Sequence, residues 1–96
     1  MIVHIVMFKF AEQNKAQNLE KVQKELNALV QKIDELKSIE VGIDFDKSGR
    51  AFDLSLYSTF DSKEDLKAYA VHPAHLEVVA LIKSVTTESK VVDYIK

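Results

Sequence analysis

The chain has 96 residues, of which 47% are hydrophobic and 29% charged, and its formal net charge at pH 7 is −2. A chain of this length forms one domain, residues 1–96, that buries about two-thirds of its unfolded surface. The negative charge and the single arginine, Arg50, argue against nucleic acid as a partner. The absence of cysteine excludes disulfides and thiolate chemistry, and it fits a cytoplasmic location.

The first predicted element is a strand over residues 2–10, which are rich in β-branched and aromatic side chains. Alternation places His4 and Val6 on one face and Ile5 and Met7 on the other, so both faces are largely apolar. This start lacks the basic leader and the small-residue cleavage site of a signal peptide. Because no run approaches the about 20 apolar residues of a membrane span, we expect no membrane partner.

The hydrophobic period then lengthens to three and four residues, which predicts an amphipathic helix over residues 12–37. Lysine and glutamate fill the remaining positions, and they are most simply a solvated outer face. The apolar positions form one buried stripe: Leu19, Val22, Leu26, Leu29, Val30, Ile33 and Leu36.

Two alternating runs, residues 39–46 and 52–60, predict a β-hairpin with its turn at residues 46–49. The helices are expected to pack on the fully apolar face of this hairpin. That face is formed by Ile39, Val41, Ile43, Phe45, Phe52, Leu54 and Leu56.

Residues 61–64 have a capping-box pattern with Asp61 as the acidic cap, and they open a short helix. Pro73 marks the start of a further helix, because its missing N–H falls at a position that has no partner in a helix anyway. The chain ends in a strand over residues 90–95. The order β-α-β-β-α-β predicts an α+β, ferredoxin-like protomer with one antiparallel sheet and helices on one face.

The sheet face away from the helices is predicted to pair with a second copy of the chain. It carries Asp44, Ser55 and Tyr57 beside aliphatic residues of the first strand, with His4 as a further candidate. Left in water, the second face of a central apolar strand would be adhesive. Since two-fold dimers are the commonest assembly, we expect a homodimer through this face, with a mixed interior suited to a small molecule.

The segment 69–75 gathers two of the three histidines, one of the three tyrosines and the only proline. If Pro73 is the first helical residue, His72 is the cap and His75 lies in the first turn. The positive end of the helix dipole disfavours a charged imidazole, so His75 is expected to be neutral and able to accept a proton. Tyr69 is then placed to donate its hydroxyl to a carbonyl oxygen.

Three interpretations of this segment stay open. In the first, which is the more frequent for such residues, Tyr69 and the histidines only cap and pack a helix junction. In the second, they carry acid–base or ligand-binding chemistry. In the third, His4, His72 and His75 supply three nitrogens to a metal ion. The intervening proline and the lack of a nearby acidic partner disfavour that metal site, so no metal is expected.

Residues 4–10, 69–75 and 92–94 together resemble the stress-responsive A/B barrel family, known as Dabb, and the resemblance covers essentially the whole chain. It implies a ferredoxin-like protomer that pairs into a dimeric α+β barrel. Plant polyketide cyclases of this family use a tyrosine and a histidine as an acid–base pair. By resemblance these residues are Tyr69 and His75, with His4 and His72 near the same cavity.

In that chemistry the histidine removes a proton next to a carbonyl, the tyrosine holds the substrate by hydrogen bonding, and ring closure follows. The leading hypothesis is therefore a homodimer that binds a small, partly apolar molecule, with cofactor-free cyclase or lyase chemistry in which His75 is the base. The alternative is a non-catalytic stress-response or assembly protein. A cofactor-free monooxygenase is a third hypothesis that no residue favours.

Overall fold

In the computed structural model, which describes residues 1–96, four strands and three α-helices follow one another along the chain. The second helical region divides at His72, as predicted. No helix is both long and apolar enough to cross a membrane. The elements are β1 (Ile2–Phe10), α1 (Lys15–Ala28), a 3₁₀ turn (Leu29–Gln31), β2 (Ser38–Ile43), β3 (Leu54–Phe60), α2 (Lys63–Val71), α3 (Pro73–Val85) and β4 (Thr86–Ile95).

The strands form one antiparallel sheet in the order β2-β3-β1-β4, which confirms the predicted ferredoxin-like fold. Because β1 lies between β3 and β4, its register decides which residues of the three strands share a face. Directly opposite residues of antiparallel strands project to the same side of the sheet. His4 is opposite Ser58 of β3 and Asp93 of β4, so these three side chains lie on one face.

The helices pack on the face that carries His4. Val6 and Phe8 lie on the same face of β1 as His4, because they follow it at steps of two residues. Phe8 belongs to the core beneath the helices, and Val6 packs against that core. The suggestion that His4 belongs to the opposite face is therefore wrong, since strand alternation keeps it with these neighbours. The buried core consists of Ile2, Phe8, Phe10, Val22, Leu26, Leu29, Ile33, Leu36, Val41, Leu54, Leu56, Phe60, Tyr69, Val78 and Ile82.

The first helix is shorter than the predicted residues 12–37. The 14 residues of α1 span about 21 Å, close to the about 23 Å of the seven-residue β3 on the sheet below. A helix continued to residue 37 would extend beyond the end of β3. The chain instead forms a 3₁₀ turn at Leu29–Gln31 and returns to the sheet at Ser38. Ile33 and Leu36 are still buried, which explains why the apolar pattern continues past the end of the helix.

A loop over residues 44–53 joins β2 to β3 in place of the predicted tight turn. Within it, the N–H of Lys47 donates to the Asp44 carboxylate at 2.7 Å, and Lys47 has a positive φ of 57°. Phe45, which was predicted to face the helices, is 92% exposed. It lies beyond the last residue of β2, where strand alternation no longer assigns a side chain to a face.

The face of the sheet without helices is apolar along β1, as predicted. The register places five side chains of β1, β3 and β4 on this side, and we call them the open face: Ile5, Met7, Tyr57, Val92 and Tyr94. Met7, Val92 and Tyr94 are 41%, 53% and 43% exposed in the protomer. Three large side chains on one uncovered surface form a patch of the kind that marks an interaction site.

Asp53 links the end of β1 to the start of α1. One carboxylate oxygen accepts the N–H of Phe10 at 2.8 Å, and the other pairs with Lys15 Nζ at 3.0 Å. Burial acts to raise the pKa of this carboxyl, but the contacts with Phe10 and Lys15 outweigh it and lower the pKa. The charged form therefore stabilises the fold above the unfolded pKa of about 3.9, and this contribution is lost as pH falls through the lower folded pKa.

Asp53→Asn is expected to lower the free energy of unfolding near neutral pH by about 1–3 kcal/mol, because the Phe10 and Lys15 groups lose a charged partner. Its stability should also decline less on acidification than that of the unaltered chain. Urea unfolding across the acid range measures both effects, with Asp46→Asn in the exposed loop as the control. Equal acid sensitivity of Asp53→Asn and the unaltered chain would contradict the assignment.

Candidate functional site

The junction between α2 and α3 is built by local capping. As predicted, α3 begins at Pro73 with His72 as its N-cap. Nδ1 of His72 accepts the N–H of Ala74 at 3.1 Å, which satisfies one of the free donors of the first turn. The cap of α2 is Ser62, whose hydroxyl accepts an N–H of the first turn at 3.1 Å, and not Asp61 as the sequence pattern suggested.

Hydrogen-bond partners determine which ring nitrogen of His75 carries the proton. Nδ1 of His75 lies 3.1 Å from the carbonyl oxygen of Ala70. A carbonyl only accepts, so Nδ1 is the donor and the lone pair of the neutral ring is on Nε2. The assignment is reversed in His72, where Nδ1 accepts the Ala74 N–H and Nε2 carries the proton. Only His75 of these two has Nε2 available as a base.

His4 is paired with Asp93 on the neighbouring strand. Nδ1 of His4 contacts a carboxylate oxygen of Asp93, and the His4 side chain is largely buried. A carboxylate bound to one nitrogen orients an imidazole and selects its tautomer. Asp93 is thus the acidic partner that was absent from the sequence-based account. The pairing of β4 with β1 identifies this residue, because its register places Asp93 opposite His4.

Tyr69 lies at the centre of a cluster of rings beneath the α2–α3 junction. Its ring centroid is 4.2 Å from that of His75, 6.4 Å from that of His4 and 5.0 Å from that of Phe60. The structure therefore brings together three of the four predicted site residues. The fourth, His72, is adjacent in the chain, but its Nδ1 is occupied by the helix cap.

The hydroxyl of Tyr69 is buried and has no hydrogen-bond partner within the chain. An unpaired buried polar group of this kind destabilises a fold by about 1–3 kcal/mol. Burial raises the pKa of Tyr69 to about 12, so the hydroxyl keeps its proton and remains a donor at neutral pH. Packing alone would favour phenylalanine at this position.

Burial lowers the pKa of His75, and the proximity of His4 and His72 lowers it further, whereas the hydrogen bond to Ala70 opposes the shift. The direction of this shift favours the neutral imidazole that the sequence led us to expect. Its main cause is desolvation of the ring rather than the helix dipole on which the prediction rested. Neutral His75 and protonated Tyr69 are the forms that a base and a hydrogen-bond donor require.

The depressed pKa of His75 makes the fold sensitive to mild acid. Above the unfolded pKa of about 6.5 the ring is neutral in both states, and the full stability is present. As pH falls through that value toward the lower folded pKa, the unfolded chain binds the proton first and stability declines. His75→Gln, which does not titrate, is expected to show a smaller decline in urea unfolding between neutral and mildly acidic pH. An unchanged decline would contradict the shift.

The three principal cavities of the protein do not contact Tyr69, His72 or His75. Two of them, of about 550 and 660 Å³, adjoin the 44–53 loop, and a third of about 250 Å³ lies between α2 and β4. Because His4 lies on the helix side of the sheet, a cavity enclosed between two facing sheets would not include it. No three histidine, aspartate or glutamate side chains converge as a metal-ligand set.

Fold and site together define a ferredoxin-like α+β protein with a buried tyrosine–histidine cluster next to a His4–Asp93 pair. Residues 2–96 match the Stress responsive A/B Barrel Domain family, Dabb. The chain therefore belongs to the Dabb family, which confirms the resemblance seen in its sequence.

Relatives support this assignment in sequence and in structure. A stress-response A/B barrel domain-containing protein of Arabidopsis thaliana is 32% identical over 94 residues, which cover 95% of this chain and 82% of the relative. A dimeric, ferredoxin-like protein of unknown function from Bacteroides fragilis superposes with a TM-score of 0.88 at 31% identity, over 97% of this chain and 93% of its own. A dimeric ferredoxin-like protein from Thermobifida fusca, 26% identical, gives a TM-score of 0.86 over 97% and 88%.

Proposed function

We propose that the chain binds a small, partly apolar carbonyl compound beside Tyr69 and His75 and catalyses cofactor-free proton transfer next to the carbonyl, as a cyclase or lyase does. The observation that carries the proposal is the buried, unpaired hydroxyl of Tyr69, on a ring whose centroid lies 4.2 Å from that of the His75 imidazole. A carbonyl oxygen of a ligand would accept the hydrogen bond that the hydroxyl lacks. The lone pair on Nε2 of His75 supplies the base.

The reaction uses a neutral imidazole and a protonated phenol. Nε2 of His75 takes a proton from the carbon next to the carbonyl, and the electron pair of that C–H bond moves to the carbonyl oxygen. The Tyr69 hydroxyl donates to this oxygen and stabilises its developing negative charge. The enolate then attacks a second carbonyl, as in a cyclase, or expels a leaving group, as in a lyase. Nε2 finally gives the proton to the alkoxide oxygen formed in the first case or to the leaving group in the second.

His4 and His72 are proposed to bind the substrate. The His4 ring edge lies close to Tyr69, with centroids 6.4 Å apart, and Asp93 holds its Nδ1, so Nε2 remains for a ligand. His72 keeps the N–H of Nε2 as a donor while Nδ1 caps α3. Neither residue needs to change its protonation state during the proton transfer.

Exchange of solvent deuterium into phenylacetone tests the proposal without knowledge of the natural substrate. The unaltered chain is expected to accelerate exchange at the carbons next to the carbonyl, as followed by proton NMR. His75→Asn places an amide donor where Nδ1 bonds Ala70 but removes Nε2, and it should slow the exchange by about a hundredfold. Glu77→Gln on the exposed side of α3 is the matched control. No acceleration by the unaltered chain, or equal rates with His75→Asn, contradicts the proposal.

A non-catalytic assembly function is the second candidate, and the His75–Ala70 hydrogen bond favours it. This bond joins the first turn of α3 to the end of α2, so the imidazole stabilises the junction whether or not it acts as a base. Under this function His75→Ala lowers stability, His75→Asn retains it, and phenylacetone exchange is the same in all three proteins.

We also propose that the chain is a homodimer through the open face. The exposure of Met7, Val92 and Tyr94 on this surface supports a partner, since their burial would stabilise an assembly by the hydrophobic effect. The structural relatives from Bacteroides fragilis and Thermobifida fusca are themselves dimeric.

We also propose a cytoplasmic location for the chain, and the absence of cysteine supports it.

A further inference from the structure

The cavity between α2 and β4, called here the α2–β4 cavity, lies next to the candidate site. Its volume of about 250 Å³ is below the about 300–1,000 Å³ of pockets for drug-sized ligands, so it suits a molecule with a single ring. Most of its wall is apolar, and its residues come from β1, α2 and β4. They are Ile2, Lys63, Leu66, Lys67, Asp93, Tyr94 and Ile95.

Two wall residues connect this cavity to the ring cluster. Asp93 holds Nδ1 of His4, whose ring lies beside that of Tyr69. Leu66 packs against the core and precedes Tyr69 by one helical turn, so the two side chains are neighbours on the same face of α2. The cavity is therefore separated from the candidate site by the width of one or two side chains.

The charged residues of the cavity wall favour an anionic ligand, because two of them are lysines and one is an aspartate. Lys63 and Lys67 are four residues apart on α2, so their side chains lie on the same side of the helix. Neither lysine takes part in any of the five ion pairs of the chain. The one acidic wall residue, Asp93, is already paired with His4. Two free ammonium groups above an apolar wall complement a ligand with an apolar body and a carboxylate.

We propose that the α2–β4 cavity is the entrance to the candidate site and selects a small carboxylate that carries one apolar ring or chain. Lys63 and Lys67 bind the carboxylate, and the apolar body lies against Leu66 and Ile95, directed toward His4 and Tyr69. This proposal rests on the function proposed above and adds the class of substrate to it.

Titration of the ¹⁵N-labelled protein with 3-phenylpropanoate and with its neutral amide, 3-phenylpropanamide, tests the selection by NMR. Two partly exposed ion pairs are expected to make the acid bind about fivefold more tightly than the amide, with the largest amide shifts at residues 66 and 93. The double variant Lys63→Gln/Lys67→Gln should abolish this preference. The matched pair Lys21→Gln/Lys24→Gln, exposed on α1, removes the same charge and should retain it.

The outcomes separate this proposal from the proposed function. Equal binding of acid and amide, no shift with the acid, or an unchanged preference in Lys63→Gln/Lys67→Gln overturns the entrance. Exchange into phenylacetone, a neutral ketone, still tests the base independently. Leu66→Phe, which narrows the cavity while keeping an apolar wall, should slow that exchange. A rate equal to or above that of the unaltered chain overturns the route.

Discussion

Tyr69→Phe is expected to make the folded protein more stable by about 1–3 kcal/mol, the opposite of the usual effect of a change in the core. The hydroxyl is buried without a partner in the folded chain but is hydrated in the unfolded chain. Its removal therefore relieves a desolvation penalty, while the ring keeps its contacts with Phe60 and His75. Urea unfolding monitored by circular dichroism measures the change.

The same substitution should slow deuterium exchange into phenylacetone by about a hundredfold or more, because the enolate oxygen loses its donor. A gain in stability with a loss of function is the signature of a residue retained for chemistry rather than packing. Tyr57→Phe removes a hydroxyl of the open face that is not among the buried unpaired groups, so it is the control and should change stability little at a concentration at which the chain is monomeric. A Tyr69→Phe protein less stable than the unaltered chain would show that the hydroxyl is satisfied within the fold.

Val92→Lys is expected to weaken the proposed dimer strongly. Val92 is 53% exposed on the open face, in the edge strand β4, so a lysine is tolerated in the protomer but would be an uncompensated charge in the interface. An uncompensated charge buried in an interface destabilises the assembly by about 3–5 kcal/mol. This corresponds to a loss of more than about a hundredfold in the dimer association constant. Sedimentation equilibrium across the micromolar range measures this constant.

Val30→Lys is the matched control for the dimer, since Val30 is 38% exposed on the helix side of the molecule. It makes the same chemical change away from the open face and should leave the association constant unchanged. A monomeric unaltered chain, or equal weakening by Val92→Lys and Val30→Lys, would exclude the open face as the interface.

Local patterns predicted the elements well, because period and capping are properties of neighbouring residues. The two apolar faces of β1 and the start of α3 at Pro73 both followed from such patterns. The end of α1 did not, since the apolar stripe continues through Ile33 and Leu36 in a non-helical segment. The 44–53 loop was missed for a similar reason, because alternation in the sequence continued beyond the paired residues.

The site was harder to predict, because its decisive contacts join distant parts of the chain. Tyr69 and His75 stand out within one short segment, but Asp93 is 89 residues from His4 and is found only once β4 is paired with β1. Which face of β1 lies beneath the helices depends on its register with β3. The Tyr69 hydroxyl lacks a hydrogen-bond partner because of how the tertiary structure packs around it, and no pattern of residue types in the sequence predicts this.

His75 is proposed to be a neutral base, with its proton on Nδ1 and a lone pair on Nε2. Long-range ¹H–¹⁵N correlation NMR of the histidine rings, recorded as a function of pH, reports both the tautomer and the pKa. The predicted result is the Nδ1–H tautomer at neutral pH and a pKa for His75 below its ordinary value of 6.5. A proton on Nε2 at neutral pH, or a pKa above that value, would contradict the claim.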